Sequence, residues 1–364
     1  MVKKVGIFIS TPAQFHFYKN IIDGLERKGV EVRVLVRDYG ETLEILDRYD
    51  GYVFSKVRSN WDRIYKLPAD VLRARRYLSD FKPDLVTGFE IYAPYTAKLL
   101  GSRSFVFYDS EPRVNRLLSI QIRAYLPIVD AILTPYAFRD NLGHKHLRVR
   151  SFKELAYLHP KYFVPDADVL DELGVEEGEF AVVRFNAFDA AHDVGVSGFG
   201  LEDKLRLVKR LERYVDVFVS YEGSNVPPEL REYLLKTNKS KIHSVLYFAK
   251  LLVTDTQTMA TEAAILGTPT VRCNKFVGEK DMGNFVELEK NFGLLLNVKN
   301  PKKAIELAEE IAQSNKVKQS WMNKRKSLFA ECIDITEFMV WFIEEYPDSL
   351  DEFSRDDAVQ YRFR

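Results

Sequence analysis

The sequence has little cysteine and no long apolar run. Only two cysteines, Cys273 and Cys332, occur in 364 residues. That is too few for a disulfide framework, so a reducing compartment such as the cytoplasm is expected. No apolar stretch reaches the 18 or so residues of a membrane span. Pro12 and Gln14 interrupt the first apolar run where a signal peptide would still be apolar, which predicts a chain that is not exported.

An excess of charge of either sign is also missing. Lysine plus arginine and aspartate plus glutamate both number 53, so the formal net charge is zero. A nucleic-acid partner would need a net basic face and is not expected. The motifs G-x-G-x-x-G after the first strand, G-x-x-x-x-G-K-[ST] and G-x-S-x-G are absent as well. These absences argue against a dinucleotide site in the first half, a P-loop and a serine hydrolase.

What the chain does have is a regular alternation of strand and helix patterns. A run of β-branched and aromatic residues at 5–10 is typical of a buried parallel strand, and residues 15–28 follow with helical periodicity. The alternation restarts at residue 180, after a connection at 151–179 that contains prolines. We therefore predict an α/β fold of two doubly wound Rossmann-like domains facing across a cleft.

The domain boundaries follow from the same pattern. We expect an N-terminal Rossmann-like domain at 1–160 and a C-terminal one at 161–346, which would end with the helices near 319–331 and 336–345. A helix is also expected at 228–236. Residues 347–364 contain the polar stretch DSLDEFSRDD and are expected to form a loose polar tail.

Residues 251–273 are the most informative stretch of the chain. They read as a strand, a polar turn, a helix and a second strand, at residues 251–254, 255–258, 259–266 and 270–273. Gly267 and Pro269 end the helix. The turn joins the carboxyl end of a strand to the amino end of a helix, where unpaired N–H groups and the helix dipole favour an anion.

We expect this turn to bind the diphosphate of a nucleotide. The predicted binding residues of the turn are Asp255, Thr256, Gln257, Thr258 and Met259. Glu262, one turn into the helix, would accept hydrogen bonds from the ribose hydroxyls. A structural interpretation of the same residues stays open, because Asp255 could end the strand, Thr258 could cap the helix and the dipole favours Glu262 in the first turns.

Polar residues after other strands are candidates for chemistry. His16 follows the first strand and could act as a general base. Asp109 and Glu111 alternate on an extended segment, so they could share one face and act as acid and base, with Glu90 beside them. His192 and Arg184 follow or end the strand at 180–185, where they could act as an acid and as a phosphate clamp. Capping, solvated or salt-bridged roles remain the alternative for each.

Two further clusters are weaker signals. His144 and His146 have the spacing of metal ligands but lack a nearby carboxylate or thiol, so no metal site is expected. Arg73, Arg75 and Arg76 lie on a basic amphipathic helix, which indicates a solvated face or, as a minority interpretation, peripheral contact with a membrane surface.

Several segments together resemble a known family. They are HFYKNIIDGLERKGVEVRVLVRDYGETLEIL near the N-terminus, ELAYLHPKYF, AHDVG at 191–195 and TMATEAAILGTP at 258–269. They are similar, in the same order, to an uncharacterised prokaryotic family that is expected to have the glycosyltransferase-B fold. That family is distantly related to UDP-N-acetylglucosamine 2-epimerase.

The resemblance implies roles for some residues. In the epimerase, a T-D-S-G-G turn and a Q-E-E-A helix bind the phosphates and the ribose. Residues 254–258 stand in the place of the turn, and Glu262-Ala263 matches the end of the helix motif. Gln257 and Thr258 replace the two glycines, which changes how closely phosphate can approach the backbone. Residues 186–192, the carboxylates Asp109 and Glu111, and Asn115-Arg116 are looser counterparts of other epimerase motifs.

These observations lead to one favoured function and two alternatives. The favoured function is a glycosyltransferase-like enzyme that binds a nucleotide-diphosphate sugar, preferably of the UDP type, between its domains and needs no other cofactor. The nucleotide would bind the C-terminal domain and the acceptor the N-terminal one. The alternatives are a non-hydrolysing nucleotide-sugar epimerase and a non-catalytic sugar-nucleotide-binding protein. The sugar, the acceptor and the oligomeric state stay open.

Overall fold

The computed structural model describes residues 1–39, 42–46, 49–56, 60–114, 116–186, 198–221, 226–279 and 281–364, without the side chains of residues 44, 45, 60, 61 and 116–118. The chain divides into two compact units. Unit 1 combines Met1–Tyr162 with Glu331–Arg364, and unit 2 is Phe163–Ala330.

The described strands form two sheets, one in each unit. The strands are β1 (Lys4–Ile9), β2 (Glu31–Asp38), β3 (Gly51–Lys56), β4 (Leu85–Gly88), β5 (Arg103–Phe107), β6 (Ala131–Pro135), β7 (His146–Val149), β8 (Phe180–Phe185), β9 (Asp216–Tyr221), β10 (Leu251–Thr254), β11 (Thr270–Cys273) and β12 (Leu296–Val298). Every pairing between them is parallel. The predicted α/β class is therefore confirmed for both halves of the chain.

The described helices connect and cover these strands. The α-helices are α1 (Pro12–Arg27), α2 (Thr42–Ile45), α3 (Asn60–Leu78), α4 (Tyr92–Leu100), α5 (Arg116–Tyr125), α6 (Leu155–Leu158), α7 (Asp168–Leu173), α8 (Leu201–Leu211), α9 (Ile242–Phe248), α10 (Thr258–Leu266), α11 (Gly283–Lys290), α12 (Pro301–Gln313), α13 (Val317–Glu331), α14 (Ile335–Glu344) and α15 (Asp348–Arg355). Short 3₁₀ helices span Pro228–Tyr233, Lys239–Lys241 and Asp357–Phe363.

The sheet of unit 1 has the order β3-β2-β1-β4-β5-β6-β7. Its central strands are buried, apart from Lys4 and Arg103 at the start of β1 and β5, because helices cover both faces, which explains their continuous apolar sequences. The chain winds outward from β1 in one direction and from β4 in the other. The topological switch point, where ligands bind in open α/β sheets, therefore lies between β1 and β4.

The residues at the start of α1 explain how the carboxyl end of β1 is held in place. The hydroxyl of Thr11 accepts a hydrogen bond from the backbone N–H of Gln14, and Pro12 occupies the first turn, where its missing N–H costs nothing. Oε1 of Gln14 in turn accepts the N–H of Ser10 at 2.7 Å. The turn between β1 and α1 is thus held by side chains of its own residues.

The sheet of unit 2 has the order β12-β11-β10-β8-β9. β8 leads outward to β9, whereas β10 leads to β11 and β12 on the other side. The switch point of this sheet is therefore the gap between the carboxyl ends of β8 and β10. A core of valines, leucines, isoleucines and phenylalanines from β8, β10, α8 and α12 supports it from one face.

The C-terminal segment differs from its prediction. Residues 331–364 pack with unit 1 instead of ending the second domain or forming a loose tail, and residues 348–355 and 357–363 are helical. The ring centroid of Phe342 lies 5.1 Å from that of Phe105 in β5, and the hydroxyl of Thr336 donates to the carbonyl of Ala156 at 3.0 Å. α14 is apolar over most of its surface, so it requires a core to cover it, and unit 1 provides that core.

Some smaller elements also differ from the sequence prediction. The helix expected at 228–236 is a shorter 3₁₀ helix, with Pro227 and Pro228 at its start. β7 and α9 were not predicted, because four strand residues and seven helical residues are too short for a clear period. None of the helices in the described ranges has the length and apolar character that a membrane span requires.

Candidate functional site

Asp255 ties together three strand ends at the switch point of unit 2. Its Oδ1 accepts the backbone N–H of Asn186, just after β8, at 2.8 Å. Its carbonyl oxygen accepts from the side-chain amides of Asn186 at 3.3 Å and of Asn274, after β11, at 3.0 Å. Asp255 is only 1% exposed. The structure therefore gives the side chain of this predicted binding residue a scaffolding contact.

The turn after Asp255 presents backbone and short side chains. The hydroxyls of Thr254 and Thr256 lie 2.8 Å apart, and the N–H of Thr256 donates to Oγ1 of Thr254. Thr258 is exposed, whereas Gln257 and Met259 are half-buried. α10 begins at Thr258, and within the described residues no side chain caps its first turn. Its first N–H groups are therefore available to an anion.

Glu262 forms a buried pair with His243. Nε2 of His243 lies 3.0 Å from Oε1 of Glu262, and the two side chains are 9% and 8% exposed. His243 is the second residue of α9, and Glu262 is the fifth of α10. Both helices begin at the carboxyl edge of the sheet because they run antiparallel to the strands that follow or precede them. The carboxylate of Glu262 is thus held one helical turn after the residues 255–258 that precede and begin α10.

Two basic residues flank the same edge. Nη1 of Arg184 in β8 donates to the hydroxyl of Ser220 at 2.8 Å. Nζ of Lys204 in α8 donates to the carbonyl of Asn186 at 3.3 Å. It also lies 5.0 Å from the ring centre of Phe185 and 5.1 Å from that of Tyr221. Burial lowers the pKa of Lys204, and the charge of Asp255 opposes that shift. The site edge therefore holds a partly desolvated cation close to the turn.

Lys204 and His243 were missed by sequence reasoning. Lys204 occupies an apolar-face position of α8, since Leu207, Val208 and Leu211 follow it at the spacing of one buried stripe. A lysine at such a position is a signal that could have been used. His243 lies in the short helix α9, which lacks a comparable signal. The region of His192 and AHDVG, residues 187–197, lies outside the described residues, so His192 stays a prediction.

The predicted carboxylates of unit 1 each have their own basic partner. Asp109 follows β5 and forms an ion pair with Lys153, and Ser110 donates to its Oδ1 at 3.2 Å. Glu111 is 2% exposed; its Oε1 accepts the N–H of Arg139 at 3.0 Å, and its Oε2 lies 3.2 Å from Nε of Arg113. Glu111 is therefore buried and held by two arginine residues, whereas Asp109 is only partly buried and lies beside an ammonium.

His16 lies in the first turns of α1, near the switch point of unit 1. Its ring centroid is 5.2 Å from that of Tyr157, which is buried. The side-chain amide of Asn20, one turn later, donates to the carbonyl of Ala156 at 2.8 Å. The segment that carries Lys153 and Tyr157 therefore packs along α1 and brings Asp109 and His16 to the same carboxyl edge of the sheet.

Glu90 forms a separate cluster after β4. It forms an ion pair with the buried guanidinium of Arg37, and Nη2 of Arg63 lies 2.9 Å from its Oε1. The guanidinium of Arg37 also lies over the ring of Tyr92, 5.1 Å from its centre. Burial alone would lower the pKa of Arg37. The attraction of Glu90 outweighs this effect, so the pKa of Arg37 is raised. Glu90 therefore has two arginine partners and does not join Asp109 through any contact that the structure records.

The two remaining sequence clusters have structural explanations. Nδ1 of His146 accepts the N–H of Leu142 at 3.2 Å, and Nε2 lies 2.8 Å from the hydroxyl of Thr134, so both nitrogens are engaged. In the described part of the chain, His, Cys, Asp and Glu do not assemble into groups of three or more that could hold a metal. Arg73, Arg75 and Arg76 lie exposed on α3, and Nη1 of Arg73 donates to the carbonyl of Phe54.

Solved structures similar to this chain share its fold. One is the UDP co-structure of MnaA from S. aureus, with a TM-score of 0.69 at 14% identity over 95% of this chain and 97% of that one. Another is a putative UDP-N-acetylglucosamine 2-epimerase from Listeria monocytogenes, with a TM-score of 0.67 at 13% identity and 96% of both chains covered. Spinosyn forosaminyltransferase SpnP has a TM-score of 0.62 at 13% identity over 98% and 100%. The fold is therefore the glycosyltransferase-B type that these transferases and epimerases share.

Sequence comparison identifies the family. A curated relative, the uncharacterized protein MJ0665 of Methanocaldococcus jannaschii, is 22% identical over 298 residues, which cover 76% of this chain and 86% of that protein. Residues 3–336 match the family described as protein of unknown function (DUF354). The chain belongs to that family.

Proposed function

We propose that the protein is a nucleotide-sugar enzyme whose unit 2 binds a nucleoside diphosphate. The observation that carries this proposal is the position of the turn at 255–258. It lies beside the end of β8 at the switch point of the sheet, and Asp255 fixes it to the backbone of Asn186 at 2.8 Å. Open α/β sheets bind their ligands at this place.

The diphosphate would contact the start of α10. The N–H groups of its first turn and the positive end of the helix dipole stabilise negative charge. Arg184 and Lys204 add two positive charges at the same edge, and partial burial of Lys204 strengthens its field because little water screens it. Gln257 and Thr258 stand where the resemblance has glycines, so the phosphates would approach through the exposed hydroxyl of Thr258.

The nucleoside would lie beside Glu262, whose carboxylate would accept hydrogen bonds from the ribose. Uridine is the favoured base, because the S. aureus protein of the same fold is seen with UDP.

Glycosyl transfer is the favoured reaction, with the second substrate on unit 1. Asp109 or His16 would act as the general base that removes a proton from an acceptor hydroxyl. Asp109 is preferred to Glu111, because Glu111 is buried and its oxygens contact Arg113 and Arg139. The α10 turn would stabilise the departing diphosphate.

Epimerisation of the sugar is the second candidate, and the resemblance to the epimerases favours it. It needs an acid and a base around the sugar ring, which Asp109, Glu111 and His192 would provide. The third candidate is a non-catalytic protein that binds sugar nucleotides, and the replacement of both turn glycines favours it.

Thermal unfolding with UDP, GDP, ADP, dTDP and CMP and their sugar conjugates tests the binding site. A ligand at a thousand times its Kd stabilises the folded protein by about 4 kcal/mol, which raises Tm by several degrees. We expect one base to raise Tm and Glu262→Ala to abolish the rise. Glu306→Ala, on the exposed face of α12, is the matched control and should keep it. If no nucleotide raises Tm, the proposed function is wrong.

A product assay separates the three candidates. A transferase releases free nucleotide as acceptor is consumed, whereas an epimerase leaves the mass of the nucleotide sugar unchanged. The non-catalytic protein binds without turnover, and Asp109→Ala then leaves both affinity and biological activity intact. For either enzyme, Asp109→Ala should lower kcat and leave the Kd of the nucleotide unchanged.

A further inference from the structure

The pair of His243 and Glu262 joins two helices at the candidate nucleotide site. Its two atoms lie 3.0 Å apart, and the residues are 7% and 6% exposed. Burial of a carboxylate is costly unless a hydrogen-bond donor compensates it. The imidazole provides that donor and comes from α9, which is a different element from the one that carries Glu262.

The pair also limits the conformations of Glu262. A glutamate side chain has three rotatable torsions, and an unrestrained carboxylate loses that freedom when it binds a ligand. A hydrogen bond from a neighbouring buried ring holds the carboxylate in one orientation before the ligand arrives. His243 is itself held by α9, and the ring of Phe163 lies edge-on to its imidazole, with the ring centroids 6.3 Å apart.

We propose that His243 is a positioning residue that directs Glu262 towards the ribose 2′-hydroxyl. The site would thereby select ribonucleoside diphosphates over 2′-deoxyribonucleoside diphosphates. This inference rests on the proposed nucleotide site of unit 2.

The physical reason for selection is the cost of an unmatched buried carboxylate. A site built to bind a hydroxyl discriminates strongly against the analogue that lacks it, because its polar group then loses its partner. A hydrogen bond to a charged group contributes enough to change affinity by about 10- to 100-fold. His243 makes this discrimination sharp because it prevents Glu262 from turning to another partner when the 2′-hydroxyl is missing.

Titration calorimetry with UDP and 2′-deoxy-UDP tests the proposal. The wild type should bind UDP about 10- to 100-fold more tightly than 2′-deoxy-UDP. His243→Leu keeps the volume of the ring but removes the donor. It should weaken UDP binding and leave the Kd of 2′-deoxy-UDP nearly unchanged, so the ratio falls towards one. His243→Gln, which keeps a donor, should retain a measurable part of the ratio.

A neighbouring substitution is the matched control. Ser244 is the next residue of α9, and its hydroxyl accepts the N–H of Asp166 at 3.0 Å. Ser244→Ala disturbs the same helix but not the pair, so it should keep the wild-type ratio. If His243→Leu does not fold, His243→Ala and His243→Gln replace it in the same comparison.

The outcomes distinguish this inference from the proposed function. If His243→Leu weakens the binding of both ligands equally, the histidine supports only the fold. If the variant binds both ligands as tightly as the wild type does, the histidine does not position Glu262. Either result overturns the inference but keeps the nucleotide site. Failure of the wild-type protein to bind either ligand overturns the proposed function itself.

Discussion

At the scale of single residues, His146 belongs to a pair with the spacing of metal ligands but has a structural role in the fold. Its Nδ1 accepts a backbone N–H, and its Nε2 is paired with the hydroxyl of Thr134. Both contacts suit a neutral imidazole. Burial, assisted by the nearby charge of Arg148, lowers the pKa of His146 to about 4.

This shift predicts a pH dependence of stability. The unfolded chain takes up the proton near pH 6.5, whereas the folded chain resists it until about pH 4. The contribution of His146 is therefore complete above pH 6.5 and is lost as the pH falls through this window. Urea unfolding between pH 4 and 7 should show a weaker pH dependence for His146→Gln than for the wild type. His144→Gln, at an exposed position, should behave like the wild type.

The site residues that could be predicted from the sequence lie in one local pattern, whereas those that could not depend on contacts between elements. The turn at 255–258 and Glu262 could be recognised because they belong to one continuous strand–turn–helix pattern. His243 and Lys153 could not, because their partners come from other elements. His243 pairs with a residue 19 positions away, and Lys153 pairs with one 44 positions away. Such pairings depend on packing that no local period encodes.

At the scale of elements, a buried ion pair joins β11 to Asp281, which lies two residues before the start of α11. Arg272 is completely buried; its Nη1 and Nη2 donate to Asp281 at 2.7 and 3.1 Å, and its Nη1 also donates to Asn297 at 3.0 Å. The ring of Phe285 lies 3.6 Å from the guanidinium carbon. A short, buried strand thus contains a guanidinium that is paired with a buried carboxylate.

Removal of one partner of this pair should be costly. Asp281→Ala leaves the guanidinium buried without its carboxylate, so we expect a loss of about 3–5 kcal/mol in the free energy of unfolding. Urea denaturation measures it. Asp351→Ala, whose ion pair with Arg355 is exposed, should cost much less. A loss below about 1 kcal/mol for Asp281→Ala would show that the pair does not hold β11.

Gly198 allows a close approach of the backbone to the candidate site. A Cβ at this position would lie 1.9 Å from the carbonyl oxygen of Cys273 and 2.9 Å from Cβ of Asp255. Only glycine fits there, so the residue keeps the ends of β10 and β11 in place.

Gly198→Ala should therefore displace the turn that carries Asp255. We expect a loss of stability of about 1–3 kcal/mol, typical of overpacking, together with weaker UDP binding. Gly200→Ala is the matched control, because its nearest neighbouring atom would be 3.8 Å away. Unfolding curves and calorimetry on both variants check this. Equal behaviour of the two variants would contradict the close approach.

Elements with a long period or clear boundaries were predictable, and short ones were not. The strands and helix of residues 251–273 have the expected positions within about one residue. Gly267 ends α10 with a φ of +81°, a conformation that glycine adopts without strain. α9, by contrast, has only seven residues, and its apolar sequence is equally compatible with a strand.

At the scale of the whole molecule, the return of the chain to unit 1 is the main feature that sequence reasoning missed. Alternation of strands and helices reveals two α/β units, but it does not tell which core a late helix joins. α14 follows α13 in sequence, yet its residues Phe338 and Phe342 belong to unit 1.

A substitution in α14 should therefore loosen unit 1. Phe342 is completely buried against Phe105 of β5, and Phe342→Ala should cost about 3–5 kcal/mol through the cavity it leaves. Hydrogen exchange should accelerate in β5 and not in β10. Glu345→Ala, one residue beyond α14 and exposed, should change neither. Faster exchange confined to β10 would show that the helix supports unit 2.

Hydrogen exchange with saturating UDP is the decisive measurement of whether the switch point of unit 2 binds a nucleoside diphosphate. We expect slower exchange at residues 184–186 and 255–262, with loss of this protection in Glu262→Ala. Unchanged exchange at those residues with every nucleotide of the panel, or protection confined to the strands of unit 1, would contradict it.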